Sequence, residues 1–179
     1  MKKRCNGCHP AIQERSRELR GGWSLKQYEG VEGFFGWLAL QTVKHRMKLG
    51  DLSASEARAL GSHLRDLEKG IYSYWRRRGH AVDRIYVMYF LESLLTDSPE
   101  WHLHISLVPR FRALRRLLIR RYVGVDAYQI AKLRSKLPHF LDRRAYRKEH
   151  GEDALREEGL RIVDGVLRSA PRRIGRRDA

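Results

Sequence analysis

Residues 36–43 set the tightest limit on how this chain can fold. In an extended conformation Trp37, Ala39, Gln41 and Val43 point to one side, and Leu38, Leu40 and Thr42 to the other. Both sides are largely apolar, so the segment is expected as a central strand covered on each face. A long helix is expected next. Ser53 and Glu56 form an S-x-x-E capping box, and Ala57, Leu60, Leu64, Leu67, Ile71 and Tyr74 then recur at steps of three and four. Arg76–Arg78 supply the cations that suit a helix C-terminus, and Gly79 ends it.

Further strands are expected at Trp23–Tyr28, at Ile85–Leu91, which is rich in Val, Tyr and Phe, and at His102–Val108, stopped by Pro109. Pro10–Leu19 reads as a short helix closed by Gly21-Gly22, and Thr96–Pro99 as a turn. Beyond Arg110 the pattern turns helical, first through Phe111, Leu114, Leu117 and Leu118, then through Ile130, Leu133 and Leu137 up to Pro138. A charged helix with a sparse apolar stripe (Ala154, Leu155, Leu160, Val163, Leu167) follows over 142–167, and a basic tail runs from Pro171. The expected architecture is α+β, an antiparallel sheet flanked by helices over residues 1–137, with an arginine-rich helical extension over 138–179.

Composition excludes some classes. Hydrophobic residues make up 42% of the 179, enough for a packed core and against wholesale disorder. The longest apolar stretch, Ile85–Leu91, is broken by tyrosines and far short of the roughly 18 residues of a membrane span. Cys5-Asn6-Gly7-Cys8 stands where a secretory signal would place its apolar core, so a cytoplasmic location is expected. The net charge of +16 is uneven: residues 110–179 carry +11 and residues 1–109 carry +5. Pairs such as Arg115-Arg116, Arg120-Arg121, Arg143-Arg144 and Arg172-Arg173 could neutralise phosphates of a nucleic acid, or could simply solvate a helix surface.

Two segments carry chemistry. Both cysteines lie in a Cys5-x-x-Cys8 motif, which in a reducing compartment is half of a metal site or a redox pair. In the segment Trp101–Arg110, His102, His104 and Ser106 share one strand face, and Leu103, Ile105 and Leu107 the other. The polar face is either a site or the solvated side of an antiparallel sheet.

His102-x-His104-x-Ser106, followed by Pro109-Arg110, resembles the H-x-H-x-H/Q signature of the histidine triad superfamily. Residues 36–45 resemble the strand of that family that ends near a histidine. Leu49-Gly50-Asp51-Leu52-Ser53-x-x-Glu56 resembles the entry to its long helix, and Cys5-x-x-Cys8 the amino-terminal zinc half-site of many members. These features follow one another in the family's order over about residues 5–110.

The resemblance implies a structural zinc held by Cys5, Cys8, His45 and His102, as in the branch that includes galactose-1-phosphate uridylyltransferase. Cys₂His₂ closes a tetrahedron and leaves no open position for a water. It implies His104 as the nucleophile that attacks the α-phosphate of a nucleotide or nucleotide conjugate. Ser106, Ser98 and Arg110 would then bind phosphate. Ser106 replaces the family's His or Gln, and Ser98 stands where many members carry a phosphate-binding Gln. The Asn and Gly of the preceding strand have no counterpart in Tyr89–Ser93. The implied activity is nucleotide hydrolysis or nucleotidyl transfer. The alternatives are a module that binds nucleic acid or nucleotide through its arginines without chemistry, and a protein–protein adaptor. A homodimer fits the exposed apolar positions as well as a monomer does.

Overall fold

The computed structural model describes residues 5, 8, 13–28, 34–89, 102–112 and 139–171. Among them are five strands, β1 (Ser16–Leu19), β2 (Trp23–Gln27), β3 (Leu38–Thr42), β4 (Val82–Tyr89) and β5 (His104–Phe111). Two long helices accompany them, α1 (Ala54–Arg77) and α2 (Arg143–Ser169). The strands form one sheet in the order β1-β2-β3-β5-β4, every neighbouring pair antiparallel. The fold is thus α+β. The segment that is apolar on both sides, β3, lies in the middle of the sheet, with all five residues buried.

The helix-bearing face can be read from register. Trp23, Leu25 and Gln27 alternate onto it, opposite Thr42, Leu40 and Leu38, which in turn face Ile105 and Leu107 on β5. The Trp23 indole donates to the carbonyl of Glu56 on α1 at 2.8 Å, and Gly159 of α2 sits against Gln27. One hydrophobic core therefore joins this sheet face to both helices, through Leu67, Ile71 and Trp75 of α1 and Leu155, Ile162, Val163 and Val166 of α2. The helices meet at glycines. A Cβ on Gly165 would stand 2.2 Å from the Tyr74 ring, and one on Gly70 would stand 2.6 Å from the Val166 carbonyl. The helix expected in the region beyond residue 137 thus belongs to this same core, capped at its start by the Asp142 side chain.

Several expectations are corrected. Ser16–Leu19 is a strand, not the end of a helix: Arg20–Gly22 makes a tight turn with Gly21 at φ +71°, and folds Leu19 onto Trp23 as a hairpin. β5 does not stop at Pro109 but runs to Phe111, a residue expected to begin a helix. The ladder to β3 ends at the pair Leu38–Leu107, so a residue without an N–H meets no strand on that side. β4 begins three residues earlier than expected, at Val82. On α1 the buried face includes Glu56, His63 and Asp66, while Ala57 is exposed. His63 is buried and bonds through Nε2 to the carbonyl of Arg20 at 2.9 Å. Phe90 and Leu91, the turn at 96–99, Ser98, the helices expected over 113–138 and the tail from 172 lie outside the described residues.

Candidate metal centre and adjoining histidine

Four residues from three separate segments converge where β3 ends and β5 begins. The ligand atoms of Cys5, Cys8, His45 and His102 all lie within 4.8 Å of one another, close enough to bind one metal ion. Sγ of Cys5 is 3.3 Å and Sγ of Cys8 3.4 Å from Nδ1 of His102, and Sγ of Cys8 is 3.7 Å from Nδ1 of His45. A tetrahedral ion with zinc-like bonds would hold its sulfur and nitrogen ligands about 3.6 Å apart. The set therefore has the spacing of such a shell as well as its chemistry. Thiolate plus imidazole is a donor set for a borderline-soft ion and not for calcium or magnesium.

Each ligand is held for a local reason. The amide of Cys8 donates to the carbonyl of Cys5 at 3.0 Å, a turn that brings both sulfurs to one side. On His102, Nε2 donates to the Thr42 carbonyl at 2.7 Å, with the Thr42 hydroxyl at 3.2 Å. A carbonyl can only accept, so the proton is on Nε2 and the lone pair of Nδ1 faces the thiols. Burial pushes the His102 imidazole down to about 4, against the pull of that carbonyl and with the help of nearby His45, so the ring is neutral at neutral pH. Burial and the adjoining Cys5 push the Cys8 thiol up to about 11.

His45 is exposed, and its loop is fixed by its neighbour. Arg46 donates from Nε to Glu56 at 3.0 Å, and its carbonyl accepts from the amide of Leu103 at 2.7 Å, tying the loop to α1 and to the residue after His102. Glu56 also receives the Ser53 amide at 2.6 Å. Burial alone would raise the Glu56 carboxyl, but the bonds from Ser53 and Arg46 hold it below its ordinary range. Sequence reasoning saw Glu56 only as a helix cap and did not single out Arg46 or Thr42. The capping box was the one signal available for them.

His104 is two residues along β5. It lies opposite Gln41 on the sheet face away from the helices. Its Nδ1 donates to the carbonyl of His102 at 3.2 Å, which places the lone pair on Nε2. Burial, and to a lesser degree the nearby Lys26 ammonium, lower its pKa. The Tyr28 ring, stacked on Trp37 with centroids 4.6 Å apart, lies 6.2 Å from the His104 ring in a near-parallel orientation. Tyr28 was missed from sequence because nothing in the spacing relates it to His104. Ser106 shares the face of His104, is wholly buried, and its hydroxyl has no hydrogen-bond partner among the described residues. Arg110 is six residues from His104, about 20 Å along the strand. There its guanidinium meets the Tyr86 hydroxyl at 3.3 Å.

The fold and site together define an antiparallel α+β domain with a Cys₂His₂ cluster at one end of its sheet. No protein-family model, curated protein or solved structure matches the chain. Among the described residues, no helix is long and apolar enough to cross a membrane.

Proposed function

We propose that the protein is a nucleotide hydrolase or nucleotidyltransferase of the histidine triad type, with His104 as nucleophile and a structural zinc at Cys5, Cys8, His45 and His102. One observation carries this reading. His102 offers Nδ1 to the thiols while its carbonyl accepts from Nδ1 of His104. A bound ion thus anchors the residue that orients the attacking imidazole. When bound, zinc supplies a cross-link between the amino-terminal segment and the sheet, and its binding energy adds to folding energy.

The chemistry belongs to the chain's own residues. Nε2 of His104 attacks the α-phosphorus of a nucleotide conjugate. The bond from phosphorus to the leaving atom, oxygen in a dinucleoside polyphosphate or nitrogen in a phosphoramidate, breaks, and that atom keeps the electron pair and takes up a proton from solvent. The nucleotidyl-histidine then yields to water, or to the oxygen of a second phosphate. The N–P bond breaks, the imidazole recovers its lone pair, and an attacking water releases its proton. A depressed pKa keeps the ring neutral and nucleophilic at neutral pH. The Ser106 hydroxyl donates to a phosphate oxygen as charge shifts there, which would satisfy a group that is otherwise buried without a partner.

The test is to incubate the protein with nucleoside phosphoramidates and dinucleoside polyphosphates labelled at the α-phosphate, quench, and look for acid-labile, alkali-stable label on the chain. Label that is present in the wild type and absent in His104→Asn supports the assignment. Equal turnover in both rejects it.

The charge supports a second reading, a non-catalytic module gripping nucleic acid. It requires affinity for oligonucleotides that falls steeply with salt, and a flat salt response removes it.

A further inference from the structure

Five residues of the central strand β3 are buried, and four of them have an evident reason to be there. Leu38 and Leu40 pack in the core, Ala39 is small and apolar, and the Thr42 hydroxyl meets His102. Gln41 is the exception. It carries a whole carboxamide into the middle of the sheet and is only 3% exposed. A buried carboxamide costs free energy unless its donors and acceptor find partners.

Register shows what it stands beside. Gln41 lies directly opposite His104 on β5 and directly opposite Ser24 on β2. The three form one polar row across three strands, on the sheet face away from the helices, and Ser24 is also 3% exposed. In the next row Ala39 opposes Ser106, so Ser106 flanks His104 along β5 while Gln41 flanks it across the ladder. Directly opposed side chains in an antiparallel pair hold their Cβ atoms about 5 Å apart. The carboxamide nitrogen of a glutamine and Nε2 of a histidine lie the same number of bonds beyond Cβ, so both can reach the same height above the sheet. The His102 carbonyl holds Nδ1 of His104, which leaves Nε2 as the atom that meets a phosphorus. A phosphorus in reach of Nε2 holds its oxygens in reach of the neighbouring carboxamide.

We propose that Gln41 is a catalytic residue of the His104 reaction, its carboxamide donating to a non-bridging oxygen of the α-phosphate as the imidazole attacks. The inference rests on the reading of His104 as nucleophile. A carboxamide brings two N–H donors and no charge, so it binds an oxygen that gains negative charge without protonating or repelling the neutral ring beside it. Its place in the middle strand fixes that donor before the substrate arrives, which is where stabilisation of developing charge is most effective.

Steady-state hydrolysis of a nucleoside phosphoramidate by the full, zinc-loaded chain tests the assignment, together with the two phosphorus diastereomers of the same compound carrying sulfur for one non-bridging oxygen. Gln41→Leu, close to the wild type in size, should lower kcat and kcat/KM together by about 10²–10³-fold. It should also shift the rate ratio of the two diastereomers by about fivefold or more, because sulfur accepts a weaker hydrogen bond and the donor that senses it is gone. A residue that only supports the fold would change Tm or zinc content and leave that ratio alone. Gln41→Glu keeps the shape, replaces the donor by an acceptor and should lose at least as much activity; it carries the test if the leucine variant does not fold. A folded variant with wild-type kcat/KM, or with reduced turnover and an unchanged diastereomer ratio, overturns the assignment while His104 still takes the label. A wild-type chain that takes no label, or equal turnover in His104→Asn, overturns the reading of His104 and this assignment with it.

Discussion

Replacing Ser106 by alanine separates stability from function at one atom. The residue is 0% exposed and its hydroxyl has no hydrogen-bond partner among the described residues. Burying an unpaired hydroxyl costs about 1–3 kcal/mol in proteins. Alanine keeps the Cβ and removes only that oxygen, leaving a gap of one heavy atom that returns part of the gain. A net stabilisation of about 1 kcal/mol follows, which for a domain of this size raises Tm by about 2–4 °C. If the hydroxyl donates to a reacting phosphate, the same change lowers turnover about 10²–10³-fold, as loss of one such donor does elsewhere. Thermal unfolding at fixed metal content and steady-state hydrolysis of a nucleoside phosphoramidate read the two effects. A destabilised Ser106→Ala would refute the claim that the hydroxyl is unpaired. A stabilised variant with undiminished turnover would remove Ser106 from the site. Gain of stability with loss of activity is the expected outcome, because a group kept ready for a ligand is a burden to the folded chain without one.

Three other outcomes are expected. Gly36→Ala should cost at least about 2 kcal/mol in urea unfolding, since φ is +88° and a Cβ there would stand 2.6 Å from the Trp75 ring; a cost below about 0.5 kcal/mol contradicts the packing described. His63 is buried with its pKa below the ordinary 6.5, so protonation favours the unfolded chain. Its contribution to stability is present above 6.5 and lost as pH falls through the lower folded value, and a pH series of unfolding midpoints should flatten in that window in His63→Gln. Cys8→Ser should abolish stoichiometric zinc in elemental analysis and lower Tm, whereas a variant retaining one zinc per chain would reject the four-residue set.

The sequence carried the elements whose cause is local. β3 was readable because apolar residues on both sides of a strand have no stable place except the middle of a covered sheet, and α1 because its cap and stripe are written within one helix. The pair of sulfurs was readable as half a ligand set, since a three-residue step brings two side chains together in any turn. What the sequence could not supply were relations between distant segments. The hairpin at Ser16–Leu19 was hidden because a four-residue strand has no periodicity of its own and exists through pairing with Trp23–Lys26. The full buried face of α2 was hidden because Ile162 and Val166 are turned inward by contact with α1, where Gly70 and Gly165 admit the close approach.

The site divides along the same line. Alternation alone put His104 and Ser106 on one face and identified them as neighbours. That Nδ1 of His104 is held by a carbonyl, that Thr42 selects the tautomer of His102, and that Arg46 and Glu56 steady the loop of His45 depend on backbone groups and side chains brought together only when the sheet closes. Arg110 shows the reverse: six residues looks close in sequence, yet an extended chain carries it about 20 Å away. Periodicity fixes which way a side chain points. Distance between segments is fixed by how the whole chain packs.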